Sequence, residues 1–542
     1  MAAPGLAGET TGGAATPPRS AAAGSETHGA PCPRPVYAAA AVLLGSFLVG
    51  FDTRLFSIGL PDLRGAFELS FDQGAWLNTI ATAPQIFIAP AVAWLAATFG
   101  VRRVLFWPSL VYAGLSLAIP EARSWESLVV LHALRGLLLG VFIPATIMIV
   151  FRNLPVRWWV PALAIYAFRL AFSQNAGVLI LGFYEEFFGW QWVYWQDVLL
   201  APVIGLLVYL GTPHERVDLK LLESADWGGM LLLGASWALI YVALDQGNRL
   251  DWLQSGLVTT LLVAGGALLV GFFINESVVA APWASHTVLA SRNIIVAFLV
   301  ILAFDVASIS NSMLVPGFLG TVVGLRPEQT GLSLFLGTAA PLLVVMPLAV
   351  AMIRLFDARI TLLVGFLAFA VAGMMGTGIT HAWAPSTFLP MALLQSVGQG
   401  FTFFAAVIYI LANSDPKRAT SAAAYIQVLR LGGAETAVSL MATLLRRREQ
   451  LHSYLIGLDV PAPSAAVARA IEGYAAPFVA RSGSYGLAAE RGVMSLADTV
   501  AREATVLAYI DAFQVTVWGS LIGIVLVAAL GEAPRGPLSP KY

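Results

Sequence analysis

Apolar runs of about twenty residues recur along almost the whole chain, and they constrain the fold more than any other feature. A membrane-spanning helix needs ~20 mostly apolar residues, because every backbone polar group must be satisfied inside the lipid. Charged residues make up only 11% of the 542 residues, against about 25% in soluble proteins. The sequence therefore predicts an all-α, multi-pass membrane protein. The fourteen predicted spans are about 36–60, 76–98, 104–120, 127–150, 158–182, 197–211, 228–244, 256–274, 293–319, 329–353, 360–380, 388–412, 420–445 and 508–530.

The distribution of positive charge predicts the direction of these spans. With the amino terminus inside, the inner segments hold fifteen Lys and Arg residues and the short outer loops hold four. Both termini are therefore predicted to be cytoplasmic. Arg446, Arg447 and Arg448 depart from this rule, because they fall at the outer end of the thirteenth span.

Two short basic turns, "FGVRRVL" (99–105) and "FDARITL" (356–362), join spans at matching places in the two halves of the chain. Such recurrence is typical of a duplicated six-span transporter. The outer segment contains two stretches of helical spacing, which predict either a capping pair of helices, a layer on the membrane surface or a partner contact. The predicted division is a disordered cytoplasmic tail (1–35), an N-terminal six-helix bundle (36–211), a linker with two inserted helices (212–292), a C-terminal six-helix bundle with an outer segment at 446–507 (293–530), and a cytoplasmic tail (531–542).

The residues that most cofactors and metals require are sparse. The only cysteine is Cys32, in a polar tail, and the six histidines are scattered without ligand spacing. The chain has no glycine loop of the P-loop type, so nothing indicates ATP hydrolysis. We therefore predict no cofactor, no metal and no nucleic-acid partner.

Several stretches together resemble the major facilitator superfamily, and within it the fourteen-span drug:proton antiporters of the EmrB/QacA type. The resemblance extends from about residue 40 to 535 and implies two six-helix bundles with two extra helices inserted between them, which gives fourteen transmembrane helices. The stretches that carry it include "FDTRLFSIGLP" (51–61), "GWQWVYWQDVLLAPVIG" (189–205), "DWGGMLLLGASWALIYVALDQGNRLDW" (226–252) and "LRLGGAETAVSLMATLLRRREQLH" (429–452).

Two motifs of this family are present in altered form. In the inner turn, Ala93 and Ala97 stand where the family has Gly and Asp. In the fifth span, the antiporter motif aligns with "GVLILG" (177–182), where Val178 and Leu181 replace Pro and Gly. The residues predicted to form the conformational motifs are Gly100, Arg102, Arg103, Gly177 and Gly182.

Charged residues inside the spans are the strongest candidates for function, because a charged group in hydrocarbon costs at least ~2.5–3.5 kcal/mol and faces a water-filled cavity or another charge. Asp52 and Arg54 are two residues apart, so on a helix they point in different directions and cannot pair. We predict that Asp52 faces the central cavity and binds a proton or a cationic substrate. The alternative is a permanent ion pair with an arginine of the fourth or fifth span.

The resemblance implies that Arg135 matches a fourth-helix arginine tied to proton coupling. An arginine stays charged, so it would act on a neighbouring acid and not carry the proton itself; a fixed structural ion pair is the alternative. The candidates for proton coupling are Asp52, Arg135, Asp305 and Glu435. The candidates for lining a substrate cavity are Arg54, Arg169, Gln174, Asn175, Asn311 and Arg430.

The function predicted from these observations is a proton-coupled secondary transporter that exports small amphipathic organic compounds by alternating access. The alternatives are an organic-anion transporter working by uptake or symport, since Arg54 and Arg169 would suit an anionic compound, and a membrane sensor without transport. An enzyme is disfavoured by the lack of a metal-ligand cluster or a nucleophile–base pair.

The chain has three Lys against twenty-seven Arg, which indicates a GC-rich bacterial genome and hence an inner membrane. We expect protons, a small-molecule substrate and the lipid bilayer as partners. The resemblance adds a periplasmic membrane-fusion adaptor, for which segment 446–507 would be the docking place.

Overall fold

The computed structural model describes residues 32–280, 282–414, 419–461, 464–482 and 485–532. Within these ranges every regular element is helical. Thirteen helices are long and apolar enough to cross a membrane, and a bent helix pair gives the fourteenth span. The predicted all-α membrane fold with fourteen spans is therefore confirmed. Most of the two predicted terminal tails lies outside the described residues.

We number the spans α1 to α14 in chain order. They are α1 (Pro35–Ala66), α2 (Phe71–Ile88 followed by Val92–Phe99), α3 (Val101–Glu121), α4 (Trp125–Asn153), α5 (Trp159–Phe187), α6 (Trp192–Gly211), α7 (Trp227–Gly247), α8 (Gly256–Val278), α9 (Arg292–Thr321), α10 (Pro327–Leu355), α11 (Ala358–Gly376), α12 (Pro385–Asn413), α13 (Ser421–Leu458) and α14 (Gly486–Ala529). The terms inner and outer denote the two membrane sides as the charge distribution predicts them.

Helix α2 is bent and packs closely on α4. Its two parts meet at an angle of 52° around a short turn that contains Pro90, because proline removes a backbone donor and clashes with the preceding turn. Gly136 and Gly140 of α4 lie against the main-chain oxygens of Ala81 and Gln85, where a Cβ would have no room. Small residues at these two positions are what bring the two helices together in lipid.

The first six spans pack on one another, the last six do the same, and the two groups meet along two seams. One seam joins α5 to α10 and the other joins α2 to α13. At the outer end of the first seam, Gly182 of α5 lies against the main chain of Glu328, and Gly331 of α10 lies against the main chain of Leu179. A Cβ on Gly182 would be 2.6 Å from the Cα of Glu328. The outer side is therefore closed along this seam.

The inserted helices α7 and α8 form a pair, and α7 contacts both halves. Gly234 of α7 lies against the carbonyl of Phe87 on α2, and Gly432 of α13 lies against the ring of Trp237 on α7. Helix α8 packs mainly on α7. Helix α7 therefore attaches the pair to the seam between α2 and α13.

The outer segment consists of the extensions of two spans and one separate helix. Helix α13 continues to Leu458, a separate helix covers Ala465–Ser482, and the next helix, Tyr485–Ala529, runs without a break into the membrane span α14. The second predicted stretch is therefore an extension of the last span. Helical propensity continues through the polar residues, and nothing in the sequence ends the helix at the membrane surface.

The basic cluster at the outer end of α13 has acidic partners. Arg446 contacts Asp251 at 2.7 Å, and Arg448 contacts Asp511 at 3.5 Å. His452 also binds Asp511, at 2.8 Å. Pairing offsets the positive charge locally, which accounts for arginines on the side where the charge rule disfavours them.

Among the described residues, three spans of the second half contain a π-helical turn. In such a turn each backbone hydrogen bond joins residues five apart, and not four apart as in an α-helix. Such turns are rare and often mark functional sites. They lie at Ser310–Leu314 in α9, Phe335–Ala339 in α10 and Leu429–Gly433 in α13. Two of the predicted cavity residues, Asn311 and Arg430, lie in these turns.

Candidate functional site

A buried cluster of two acids and one arginine lies inside the first six-helix group. Nη2 of Arg135 on α4 donates to Asp52 on α1 and, at 2.6 Å, to Asp197 on α6. The side chains of Arg135, Asp52 and Asp197 are 4%, 3% and 1% exposed. One arginine thus serves two carboxylates, and the cluster has a net negative charge unless one acid holds a proton.

Three further side chains from the same six-helix group orient the guanidinium of Arg135. Its Nε donates to the hydroxyl of Ser116 at 2.9 Å, and the rings of Tyr112 and Tyr194 lie 4.8 and 5.2 Å from the guanidinium. Tyr112 also donates to Asp197, at 3.5 Å. These contacts hold the arginine in place, so an exchangeable proton would move between the two acids and water.

Asp197 is the member of the cluster that sequence analysis missed. It stands at the first residue of the predicted sixth span, whereas α6 begins five residues earlier, at Trp192. The predicted boundary therefore makes it a surface acid, and the longer helix makes it a buried one. The signal for it is its position in "VYWQDVLLAP", an otherwise apolar stretch interrupted only by Gln196 and Asp197.

A cavity of about 160 Å³ lies beside this cluster, between α1, α2, α4, α7 and α13. At the ~30 Å³ that a water occupies in the liquid, it has room for about five waters. The charged residues that line it are Asp52, Arg135, Asp245 and Glu435. Asp52, Arg135 and Glu435 are predicted coupling residues, and the structure brings them to one cavity shared by both halves and the inserted helix. Asp245 was missed, because the predicted span ends one residue before it.

Asp305 of α9 lies outside this cavity and packs against the opposite face of α13. Its side chain is buried, and its Oδ2 lies 2.8 Å from where a Cβ of Gly433 on α13 would be. Arg430 and Glu435 are its charged neighbours, and Arg430 itself donates to Gln427 at 2.9 Å. Asp305 and Arg430 therefore form a second charged group, in the C-terminal half.

Arg169 lies at the contact between the two halves. It is 2% exposed, and its Nε and Nη2 have no hydrogen-bond partner within the described ranges. The ring of Tyr166 lies 5.3 Å from its guanidinium and 6.0 Å from the ring of Phe403 on α12. The side-chain amide of Asn311 is also buried and lacks a partner among the residues described. Both side chains thus carry buried hydrogen-bonding atoms without a partner in the described part of the protein.

Three other predicted cavity residues, Arg54, Gln174 and Asn175, take part in hydrogen bonds to the main chain of α5. Nε of Arg54 donates to the main-chain oxygen of Gln174 at 2.8 Å, and its side chain crosses Gly177, where a Cβ would be 2.7 Å from Cγ of Arg54. Asn175 donates to the carbonyl of Ala171 on its own helix, at 2.8 Å. Gly177 thus makes the groove through which Arg54 joins α1 to α5.

The predicted inner turn includes an acid from another loop. Gly100 has a φ of +83°, a conformation that favours glycine. A Cβ added to Gly100 would lie 3.1 Å from the Cβ of Glu215. Glu215 pairs with Arg152 at 3.7 Å. The two predicted arginines face elsewhere: Arg102 stacks on Tyr209 at 3.7 Å, and Arg103 donates to the carbonyl of Phe99 at 3.4 Å.

A family model described as the Major Facilitator Superfamily matches residues 42–434 of the chain. The multidrug export protein EmrB of Escherichia coli (strain K12) is 23% identical over 426 residues, which cover 76% of this chain and 80% of that protein. The fatty acid resistance protein FarB of Neisseria gonorrhoeae is 22% identical over 418 residues, with the same two coverages of 76% and 80%.

Among solved structures, the chain is similar to the proton:xylose symporter XylE, with a TM-score of 0.54 and 13% identity. The similarity covers 93% of this chain and 98% of that chain. At this level of identity it concerns the fold alone.

Proposed function

The chain belongs to the Major Facilitator Superfamily, and we propose on that premise that it exports small amphipathic organic compounds in exchange for protons, as a multidrug efflux transporter. It is a transporter and not an enzyme, and it is a multi-pass protein of the inner membrane. The relatives that support this proposal are an export protein and a resistance protein, and the alignment with this chain covers 80% of the length of each.

The observation that supports proton coupling best is the cluster in which Arg135 binds both Asp52 and Asp197 next to the cavity. A proton bound by Asp52 weakens its bond to Arg135, and the arginine then pairs with Asp197 alone. Loss of the proton restores the charge on Asp52 and its attraction to Arg135. Protonation therefore changes contacts between α1, α4 and α6, which is how a proton can bias alternating access.

The orientation and the outer partner are also proposals. The charge distribution supports cytoplasmic termini, and this places the helix Ala465–Ser482 on the periplasmic side. Tyr454, Leu458 and Met494 are 65%, 60% and 65% exposed there. Apolar side chains presented this way support a docking surface for a membrane-fusion adaptor.

The proposed function is tested with inverted inner-membrane vesicles that contain the protein and a fluorescent amphipathic dye such as ethidium. We expect an acidic vesicle interior to drive dye uptake, because export from the cell corresponds to entry into inverted vesicles. Collapse of the pH gradient with an uncoupler should release the dye. Uptake that occurs equally without a pH gradient, or only into right-side-out vesicles, would contradict proton-driven export.

Export of organic anions is a second candidate, which Arg169 specifically supports, because two of its guanidinium nitrogens lack a partner among the described residues. A buried arginine without a counterion favours a ligand that brings a negative group. The relative FarB is named for resistance to fatty acids, which are anionic amphiphiles. The amphipathic substrate class would then include compounds with a carboxylate.

Arg169→Gln separates these substrate classes. We expect it to raise the KM for an anionic amphiphile such as oleate by about 10- to 100-fold, since a hydrogen bond to a charged group contributes about 1.5–3 kcal/mol. The KM for the cation ethidium should change by less than about threefold. Arg157→Gln, on the inner loop between α4 and α5, is the matched control. An equal loss for both compounds would mean that Arg169 only stabilises the helices.

A further inference from the structure

Asp245 lies on the inserted helix α7 but is bound to α2. Its carboxylate accepts a hydrogen bond from the hydroxyl of Thr79, one from the amide of Gln246 at 3.3 Å and one from Asn78 at 3.5 Å. All three donors are neutral. The nearest cation, Arg249, is already engaged by Asp72 at 2.5 Å and Gln246 at 2.8 Å. Asp245 therefore lacks a counterion of its own.

Glu435 lies across the same cavity, on α13. In the part of the chain that the structure describes, its carboxylate has no ion pair and no hydrogen bond. Asp245 is its electrostatic neighbour across the cavity, and Tyr241 on α7 is an electrostatic neighbour of both acids. Asp305 is a further acid near Glu435, on the opposite side of α13.

Among the described residues that line the cavity, no positively charged group is free to pair with Asp245 or Glu435. Arg135 is shared by Asp52 and Asp197. His132 is held by the carbonyl of Leu128 at 2.8 Å and by the hydroxyl of Tyr194 at 3.0 Å, so it offers no positive charge to the far side of the cavity. Two like charges in a site of low dielectric disfavour full ionisation of both.

A buried amide gives independent support for a ligand at this place. Gln85 of α2 is 4% exposed and lines the cavity, yet its side chain makes no hydrogen bond to any residue described here. A buried amide without a protein partner requires water or a ligand. The cavity next to the two acids is therefore built to hold polar occupants.

We propose that Asp245 and Glu435 together hold a second exchangeable proton, so that the inserted helix is part of the coupling machinery. This inference rests on the proposed function, to which it adds a second ion site. The proton binds one carboxylate oxygen of the pair and leaves to water, with no other bond changed.

The packing of α7 gives this site its dependence on conformation. The carboxylate of Asp245 is bound to α2 through Thr79, and α7 packs more extensively on α2 than on α13, which it meets at Trp237. Glu435 belongs to α13 itself. The seam between α2 and α13 separates the two halves, so their rocking changes the distance between the carboxylates. When the two acids are close they share a proton, and when they are apart and hydrated both ionise.

The test is thermodynamic, in proteoliposomes with an acidic interior, ethidium as the probe and the membrane potential clamped at zero with potassium and valinomycin. Each exchanged proton contributes a factor of about ten to the steady-state accumulation for every pH unit, because one unit is 1.36 kcal/mol per proton. With protons at Asp52 and at the pair, we expect about 100-fold accumulation per pH unit for the wild type and about tenfold for Asp245→Asn and for Glu435→Gln.

A merely structural role would slow transport and leave the accumulation ratio unchanged. Asp245→Glu keeps an acid and should keep the wild-type ratio, as should the control Asp498→Asn, whose side chain is exposed on the outer extension of α14. A wild-type ratio near tenfold, or unchanged ratios in both variants, overturns the second site. Accumulation driven by a sodium gradient and lost in Asp245→Asn would assign the pair to a metal cation instead. A wild type without any pH-driven accumulation would refute the proposed function itself.

Discussion

Asp52→Asn is expected to slow proton-driven transport by at least about 100-fold, the size of effect seen when an essential proton-transfer group is removed. Asparagine keeps the shape of the side chain and cannot ionise. Arg135 then pairs permanently with Asp197, so the proton-dependent change of contacts is lost. The rate of dye uptake into inverted vesicles under an imposed pH gradient measures the effect.

The variant should remain folded, because Arg135 and Asp197 still form a closed ion pair without it. Exchange of dye down its own concentration gradient should therefore continue. Asp498→Asn is the matched control, since Asp498 is exposed on the outer extension of α14. Proton-driven uptake at the wild-type rate would assign Asp52 a structural role and transfer coupling to the remaining acids.

Gly182→Val is expected to prevent closure of the outer side. A Cβ at this position would lie 2.6 Å from Cα and 2.9 Å from the main-chain nitrogen of Glu328, and backbone atoms cannot move aside as a flexible side chain would. Overpacking costs typically 1–3 kcal/mol, which shifts the balance between the two access states by about 5- to 150-fold. Transport should fall by a similar factor while the amount of inserted protein stays normal.

Thiol labelling reports the conformational shift directly. Cys32 is the only cysteine, so a Cys32→Ser background with Ser439→Cys places one thiol on the cavity. A membrane-impermeant reagent added from the outside should label it faster when Gly182→Val is present. Gly114→Val on α3 is the control, because no atom lies within 4 Å of its added Cβ. Unchanged labelling with normal transport would show that this seam opens without separating at Gly182.

The sequence identified some of the buried charges around the cavity and missed others. Asp52 and Arg135 were identified because a charge in an apolar run is costly wherever the helix faces. Asp197 and Asp245 were missed because each lies within five residues of a predicted span end, and span boundaries are the least reliable part of such a prediction. Arg54 stays a prediction for the substrate cavity, and the structure adds that it crosses Gly177 and donates to the carbonyl of Gln174. The direction of a side chain around its helix depends on which neighbours the helix meets.

The outer segment illustrates the same limit. Its helical spacing was visible in the sequence, but the continuity of the helix Tyr485–Ala529 through the membrane boundary was not. A span is recognised by hydropathy, which changes at the boundary, whereas the helical hydrogen bonding continues across it.

By itself, the sequence determined the number of spans, the all-α class and the type of charge inside the membrane, since these follow from the cost of exposing polar groups to lipid. Only the tertiary structure decided that Arg135 serves two acids from two helices, that Asp245 of an inserted helix faces Glu435 across the α2–α13 seam, and that glycines close the outer side. Contacts between residues 60 to 190 positions apart depend on how helices pack in three dimensions, and no local pattern in the sequence specifies them.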